Sequence, residues 1–212
     1  MRTRALDLDG PAGRLEAVLM TPAGRKRAGA VLCHAHPLHG GTMHFKLLFR
    51  AAKILQREGF SVLRFHFRGI GRSEGSYDHG RGEADDARTA VEALARETEG
   101  PILLGGFSFG AAVALRVGSG DERVSAMFLM GLPVGSVEGI RAENPAGKPT
   151  LFIQGERDEF GGEEAIRDFV RRFAEPKDLV VVPGADHFFT GKEAALEGAI
   201  AEWIRRRPEQ PT

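Results

Sequence analysis

Two hydrophobic periods alternate along the chain. Short, nearly continuous apolar runs recur at Ala30–Cys33, Ser61–Phe65, Pro101–Leu104, Ala126–Met130, Thr150–Ile153 and Leu179–Val182. Runs of that kind suit strands covered on both faces. Between them lie amphipathic stretches with helical spacing: Leu47, Leu48, Ala51, Ile54 and Leu55; Ala84, Ala87, Val91 and Leu94; Ile166, Phe169, Val170 and Phe173; Leu196, Ala199, Ile200, Trp203 and Ile204. Gly59 stops the first of these, and Thr190 with Glu193 has the spacing of a capping box before the last. Leu15–Met20 reads as a further strand, hairpinned to Leu6–Leu8 through Asp9-Gly10-Pro11-Ala12-Gly13. Strand–helix alternation predicts an α/β fold: a doubly wound, mostly parallel sheet with helices on both faces. Residues 1–212 then form one domain, with 207–212 as a flexible tail.

Such sheets bind ligands beyond the carboxyl ends of their strands, so chemistry is sought just after each apolar run. Gly106-Phe107-Ser108-Phe109-Gly110 follows Pro101–Leu104 and opens the small-residue apolar run Ala111–Leu115. A serine between strand and helix sits on a sharp turn at a helix N-terminus, where developing negative charge is favoured. A second G-x-S-x-G, Gly71-Arg72-Ser73-Glu74-Gly75, leads into loop chemistry at Tyr77-Asp78-His79-Gly80 and is the weaker nucleophile candidate.

A serine hydroxyl needs a base, and the base an orienting acid. Six of the seven histidines lie between His34 and His79; His187 alone lies downstream, after the last strand. The acid is expected after Leu151–Gln154, where Glu156, Asp158 and Glu159 compete. Asp158 best clears the strand, and Asp186 is disfavoured by its adjacency to His187.

The order Ser108, Asp158, His187 with G-x-S-x-G resembles the α/β-hydrolase superfamily, in particular its small bacterial members near dienelactone hydrolases and carboxylesterases. The resemblance spans about Leu15 to Trp203. It implies an oxyanion hole built from the backbone N–H of Phe109 and a second N–H from Cys33-His34-Ala35-His36-Pro37-Leu38-His39. There Ala35 takes the glycine position of the family's His-Gly-x loop, which makes His36 the matching donor and Leu38 the fallback. His66 to Ser73 resembles the family's Arg-Gly-x-Gly-x-Ser loop and is read as structural. A serine at the elbow, rather than aspartate or cysteine, implies acyl transfer. Only 19 residues, 131–149, separate two strands where many relatives insert a cap, so the chain is expected to be lidless. Substrate-binding candidates are Phe107, Phe109, Leu132, Pro133, Phe160, Phe188 and Phe189, with Leu38 from the oxyanion loop.

Composition closes off other classes. Lys plus Arg and Asp plus Glu are both 29, so the net charge is zero, unlike a nucleic-acid binder. Gly69 and Gly71 lack the third glycine of a dinucleotide fingerprint, since Glu74 stands there. His34, His36 and His39 have no carboxylate nearby, none occurring between Glu16 and Glu58, which disfavours a metal site. One cysteine, Cys33, forbids an intrachain disulfide and is expected to be inert in its strand. No stretch approaches 18 apolar residues, and no apolar run follows the basic N-terminus, so a cytoplasmic protein without membrane contact is expected. The reading is a carboxylesterase on small or short-chain acyl esters, without metal or organic cofactor. A thioesterase or small-amide hydrolase is the alternative, then a non-catalytic binding protein, and a homodimer is left open.

Overall fold

The computed structural model describes residues 2–24, 27–135, 144 and 146–206; the tail expected at 207–212 lies outside them. The chain runs β1 (Arg2–Gly10), β2 (Gly13–Thr21), β3 (Ala28–Cys33), α1 (Lys46–Arg57), β4 (Phe60–Phe65), α2 (Arg81–Glu97), β5 (Ile102–Phe107), α3 (Phe109–Gly118), β6 (Val124–Met130), β7 (Thr150–Gly155), α4 (Glu163–Arg172), β8 (Lys177–Val182) and α5 (Glu193–Arg205). The eight strands form one sheet in the order β1-β2-β4-β3-β5-β6-β7-β8. The β1–β2 and β2–β4 pairs are antiparallel, and the others are parallel.

From β3 the chain winds to β4 on one side and then crosses to β5 on the other. The sheet's switch point therefore lies between β3 and β5. One apolar core gathers α2, α3 and α4 on one face; a second gathers α1 and α5 on the other. Helix α1 shows why: Leu47, Leu48, Ala51, Ala52 and Leu55 form one buried stripe, and Gly59, at φ 92°, ends the helix in a conformation only glycine adopts cheaply.

Three sequence expectations are corrected. The hairpin strands run well beyond Leu6–Leu8 and Leu15–Met20. β1 is an edge strand with mostly exposed residues, so its backbone pairing leaves no apolar signature. Strand β5 begins after Pro101 and extends through Gly105-Gly106-Phe107, which pair with Phe128–Met130 of β6; a side chain at Gly105 would collide with the Phe128 ring, so glycine there hides the strand from an apolar reading. Helix α5 has no capping box. It starts after Lys192, Thr190 is bound to Asp186, and the Glu193 carboxylate takes the ammonium of Lys46.

Between β6 and β7, residues 136–143 and 145 lie outside the description. Among the described residues no helix is long and apolar enough to cross a membrane.

Candidate active site

Ser108 leaves β5 with φ 56° and ψ −122°, an unusual conformation for a residue with a Cβ. Its N–H donates to Met130 O at 2.9 Å, tying the turn to the end of β6. The glycines beside it make the turn possible. A side chain at Gly106 would run into the Gly110 carbonyl, and one at Gly110 into the Cys33 and His34 carbonyls. The start of α3 is thus pressed against the loop after β3.

His187 Nε2 lies 2.9 Å from Ser108 Oγ, and His187 Nδ1 lies 2.8 Å from Asp158 Oδ2. The carboxylate fixes the tautomer: Nδ1–H donates to Asp158, which leaves Nε2 to accept the serine proton. Asp158 and His187 are both buried. Asp158 Oδ1 accepts from the Phe160 N–H at 2.9 Å. Its Oδ2 also accepts from Gln154 Nε2 at 2.8 Å, an amide that donates to Gly161 O at 2.8 Å as well. Sequence reasoning missed Gln154. Its signal was a polar residue ending the buried run Leu151-Phe152-Ile153.

Two competing acids, Glu156 and Asp186, are engaged elsewhere, and Glu159 is exposed. Glu156 accepts from the Gly184 N–H, and Asp186 caps Thr190. The rival Ser73 is buried; its Oγ donates to His66 O and accepts from the Glu16 N–H, both at 2.9 Å. Next to it the carboxyl of Glu16 is held down to about 2, chiefly by the backbone N–H of Arg72, with His66 and the Arg72 guanidinium adding to the effect. Asp86, also unread in the sequence, is fully buried and holds the Arg68 guanidinium and backbone N–H. It pins the Gly69–Gly71 loop to α2.

In the loop after β3, His36 and Phe109 have ring centroids 5.0 Å apart. Among the described residues no acceptor takes the His36 N–H, and the Phe109 N–H is a first-turn helix donor without an intrahelical partner. The fallback is corrected: the Leu38 N–H already donates to His36 Nδ1 at 3.2 Å. That bond leaves Nε2–H of His36 to donate to Tyr77 Oη at 3.1 Å. Burial lowers the affinity of His36 for a second proton, as do His39 and His79. His34 is buried deeper and its pKa is driven to about 3 by desolvation. Its Nδ1–H donates to Ala35 O and its Nε2 accepts from the Phe67 N–H, joining the β3 and β4 loops. Cys33 is fully buried, which pushes its thiol pKa up and keeps it protonated.

The substrate candidates divide. Phe107, Leu132 and Phe189 are fully buried, and Phe109 and Pro133 nearly so. Phe107 packs beneath His187, with centroids 5.0 Å apart, and stacks on Phe45. Leu38, Phe160 and Phe188 do reach the surface.

The family described as an alpha/beta hydrolase domain matches residues 26–203. The chain belongs to the α/β-hydrolases. The hydrolase is 34% identical to XC6422 from Xanthomonas campestris, an α/β serine hydrolase without a lid. That match covers 100% of this chain and 98% of the other, with a TM-score of 0.89. An α/β serine hydrolase homologue from Coxiella burnetii is 32% identical, with 95% and 97% coverage and a TM-score of 0.84. RP471, an uncharacterized protein of Rickettsia prowazekii (strain Madrid E), is 31% identical over 205 residues, 92% of this chain and 86% of that one. Among the described residues no cap domain stands between β6 and β7.

Proposed function

We propose that this hydrolase is a carboxylesterase acting on small or short-chain acyl esters, with Ser108 as nucleophile, His187 as general base and acid, and Asp158 as the orienting acid. The observation that carries the reading is the continuous connection from Asp158 Oδ2 through His187 to Ser108 Oγ, at 2.8 and 2.9 Å. His187 Nε2 takes the serine proton as Oγ attacks the ester carbonyl. The N–H groups of His36 and Phe109 receive the oxyanion, a role supported by their lack of other acceptors and by the packing of their loops. Collapse expels the alcohol, protonated by His187. Water, deprotonated by the same nitrogen, then resolves the acyl-enzyme.

Ser108→Ala is expected to reduce turnover of p-nitrophenyl acetate or butyrate by about 10⁴-fold or more and to abolish labelling by a fluorophosphonate, with folding retained. Retained labelling in that variant overturns the assignment.

A further inference from the structure

Among the described residues four large apolar side chains are well exposed: Leu38 at 66%, Phe49 at 44%, Phe160 at 38% and Phe188 at 48%. Phe49 lies on α1 over the guanidinium of Arg64, 5.1 Å from ring centroid to carbon. The other three belong to the loops that carry the reacting groups. Two of them touch the imidazole itself: the Phe160 centroid is 4.6 Å from that of His187, and the Phe188 centroid 5.2 Å, both edge-on. Phe45 extends this surface, 6.2 Å from Phe188. Burying half a phenyl ring in the protein itself would have been easy and favourable. The exposure of two such rings against one imidazole points to a ligand that covers them.

The chemistry says which part of the ligand. In ester cleavage the departing oxygen must accept the proton on His187 Nε2, within about 3 Å. The oxyanion points the other way, toward the His36 and Phe109 N–H groups. The chain bonded to the departing oxygen therefore begins beside the imidazole, where Phe160 and Phe188 stand. The acyl chain does not.

We infer that Phe160 and Phe188 form a subsite for the alcohol of the ester, and that this alcohol is a neutral apolar one, an aryl-methyl or comparable branched group. The inference rests on Ser108 and His187 acting as proposed above. Two half-exposed phenyl rings offer such a group dispersion and desolvation, and no hydrogen bond or counter-ion; at an exposed ring their cation–π attraction for a quaternary ammonium is the weaker effect. No proton or electron beyond those of hydrolysis is involved: the subsite binds and orients the leaving group.

The test is a matrix of acetate and butyrate esters of ethanol, benzyl alcohol and choline, read as kcat/KM. The alcohols differ in surface and charge, while the acyl chain is varied independently. Wild type is expected to prefer benzyl over ethyl esters by about 10-fold or more, and benzyl over choline esters. Phe160→Ala and Phe188→Ala should each cut the benzyl-to-ethyl ratio by about 5- to 10-fold, the value for uncovering half a phenyl ring. Phe49→Ala, equally exposed but remote, should leave the ratio alone. A ratio unchanged in both subsite variants overturns the inference. So does a loss that follows acyl length, or a preference for choline. Failure of wild type to hydrolyse any of the six esters overturns the esterase reading instead.

Discussion

Replacing Gln154 with leucine keeps the side-chain volume and removes the amide. In the folded protein Nε2 donates to Asp158 Oδ2 and to Gly161 O, each at 2.8 Å, and approaches Leu132 O at 3.4 Å. A hydrogen bond to a charged acceptor contributes about 1.5–3 kcal/mol, and a buried carbonyl left unpaired costs about 1–3 kcal/mol. Against these losses, leucine removes Gln154 Oε1, which is buried without a partner. That returns about 1 kcal/mol. The net expectation is a loss of about 1.5–5 kcal/mol, which in a protein of this size lowers Tm by roughly 3–20 °C.

The catalytic consequence is separable from the loss of stability. The oxygen that loses its donor is the one that accepts from His187 Nδ1. The carboxylate becomes freer to turn, and the imidazole loses a fixed anchor. Because the amide is fully buried and meets no substrate, kcat should fall by about 10- to 100-fold with KM nearly unchanged. The assay is p-nitrophenyl butyrate turnover at least 10 °C below the variant's Tm. Gln154→Glu, which sets a second carboxyl against the buried Asp158, should be at least as inactive. A destabilised leucine variant with unchanged kcat refutes the positioning role; an unchanged Tm refutes the hydrogen-bond energetics.

Ser73→Ala should lose about 1–2 kcal/mol, because the Glu16 N–H and His66 O each lose their partner, yet label with fluorophosphonate like wild type; lost labelling with the fold intact would revive the second G-x-S-x-G. In Gly131→Ala the new methyl would stand 3.2 Å from His187 Cε1, on a backbone at φ 57°. The expected outcome is a kcat loss of more than about 10-fold in a folded protein, checked by turnover and circular dichroism together. Glu16 is bound as the anion, so its contribution is complete above its ordinary value of 4.5 and disappears as pH falls toward 2. After discounting for solvent screening, Glu16→Gln should be about 1–2 kcal/mol less stable at pH 7, and the gap should close between pH 4.5 and 2. Denaturant titrations at several pH values check this, and a constant gap refutes it.

The strands were legible where both faces are covered, as in β3, β4 and β7, whose residues are all buried. At the exposed edge strand β1, and in β5 with its two glycines, composition stopped reporting structure while backbone pairing continued. The meeting of Ser108 and His187 was legible because each follows a strand, although their positions are 79 apart in sequence. The surroundings of Phe107 were not legible from its place beside Ser108. It adjoins the serine, but residues alternate across a strand, and its ring enters the α1–α5 core. Gln154 could not be read as a partner of the acid, because its three acceptors come from loops whose approach only the folded chain defines.

The reach of His187 is a backbone achievement. Strands β6 and β7 separate β5 from β8, so at about 4.8 Å per strand the ends of β5 and β8 stand roughly 14 Å apart. The loop after β8 crosses that gap by lying on the ends of the two intervening strands. Gly131, just past β6, lies under the imidazole; a side chain there would meet the ring at 3.2–3.3 Å. At Gly155, which ends β7, a side chain would stand 2.5 Å from the Asp186 carbonyl. The loop is then stitched down by Glu156 N–H to Val182 O, Arg157 N–H to Ala185 O, and Gly184 N–H to the Glu156 carboxylate. Glycine makes up 28 of the 212 residues, and at these positions it is the absence of a side chain that lets the imidazole reach the serine. Strand ends and the loops tied to them thus hold His187 against Ser108, and leave Phe160 and Phe188 exposed beside the imidazole, where the alcohol subsite is proposed.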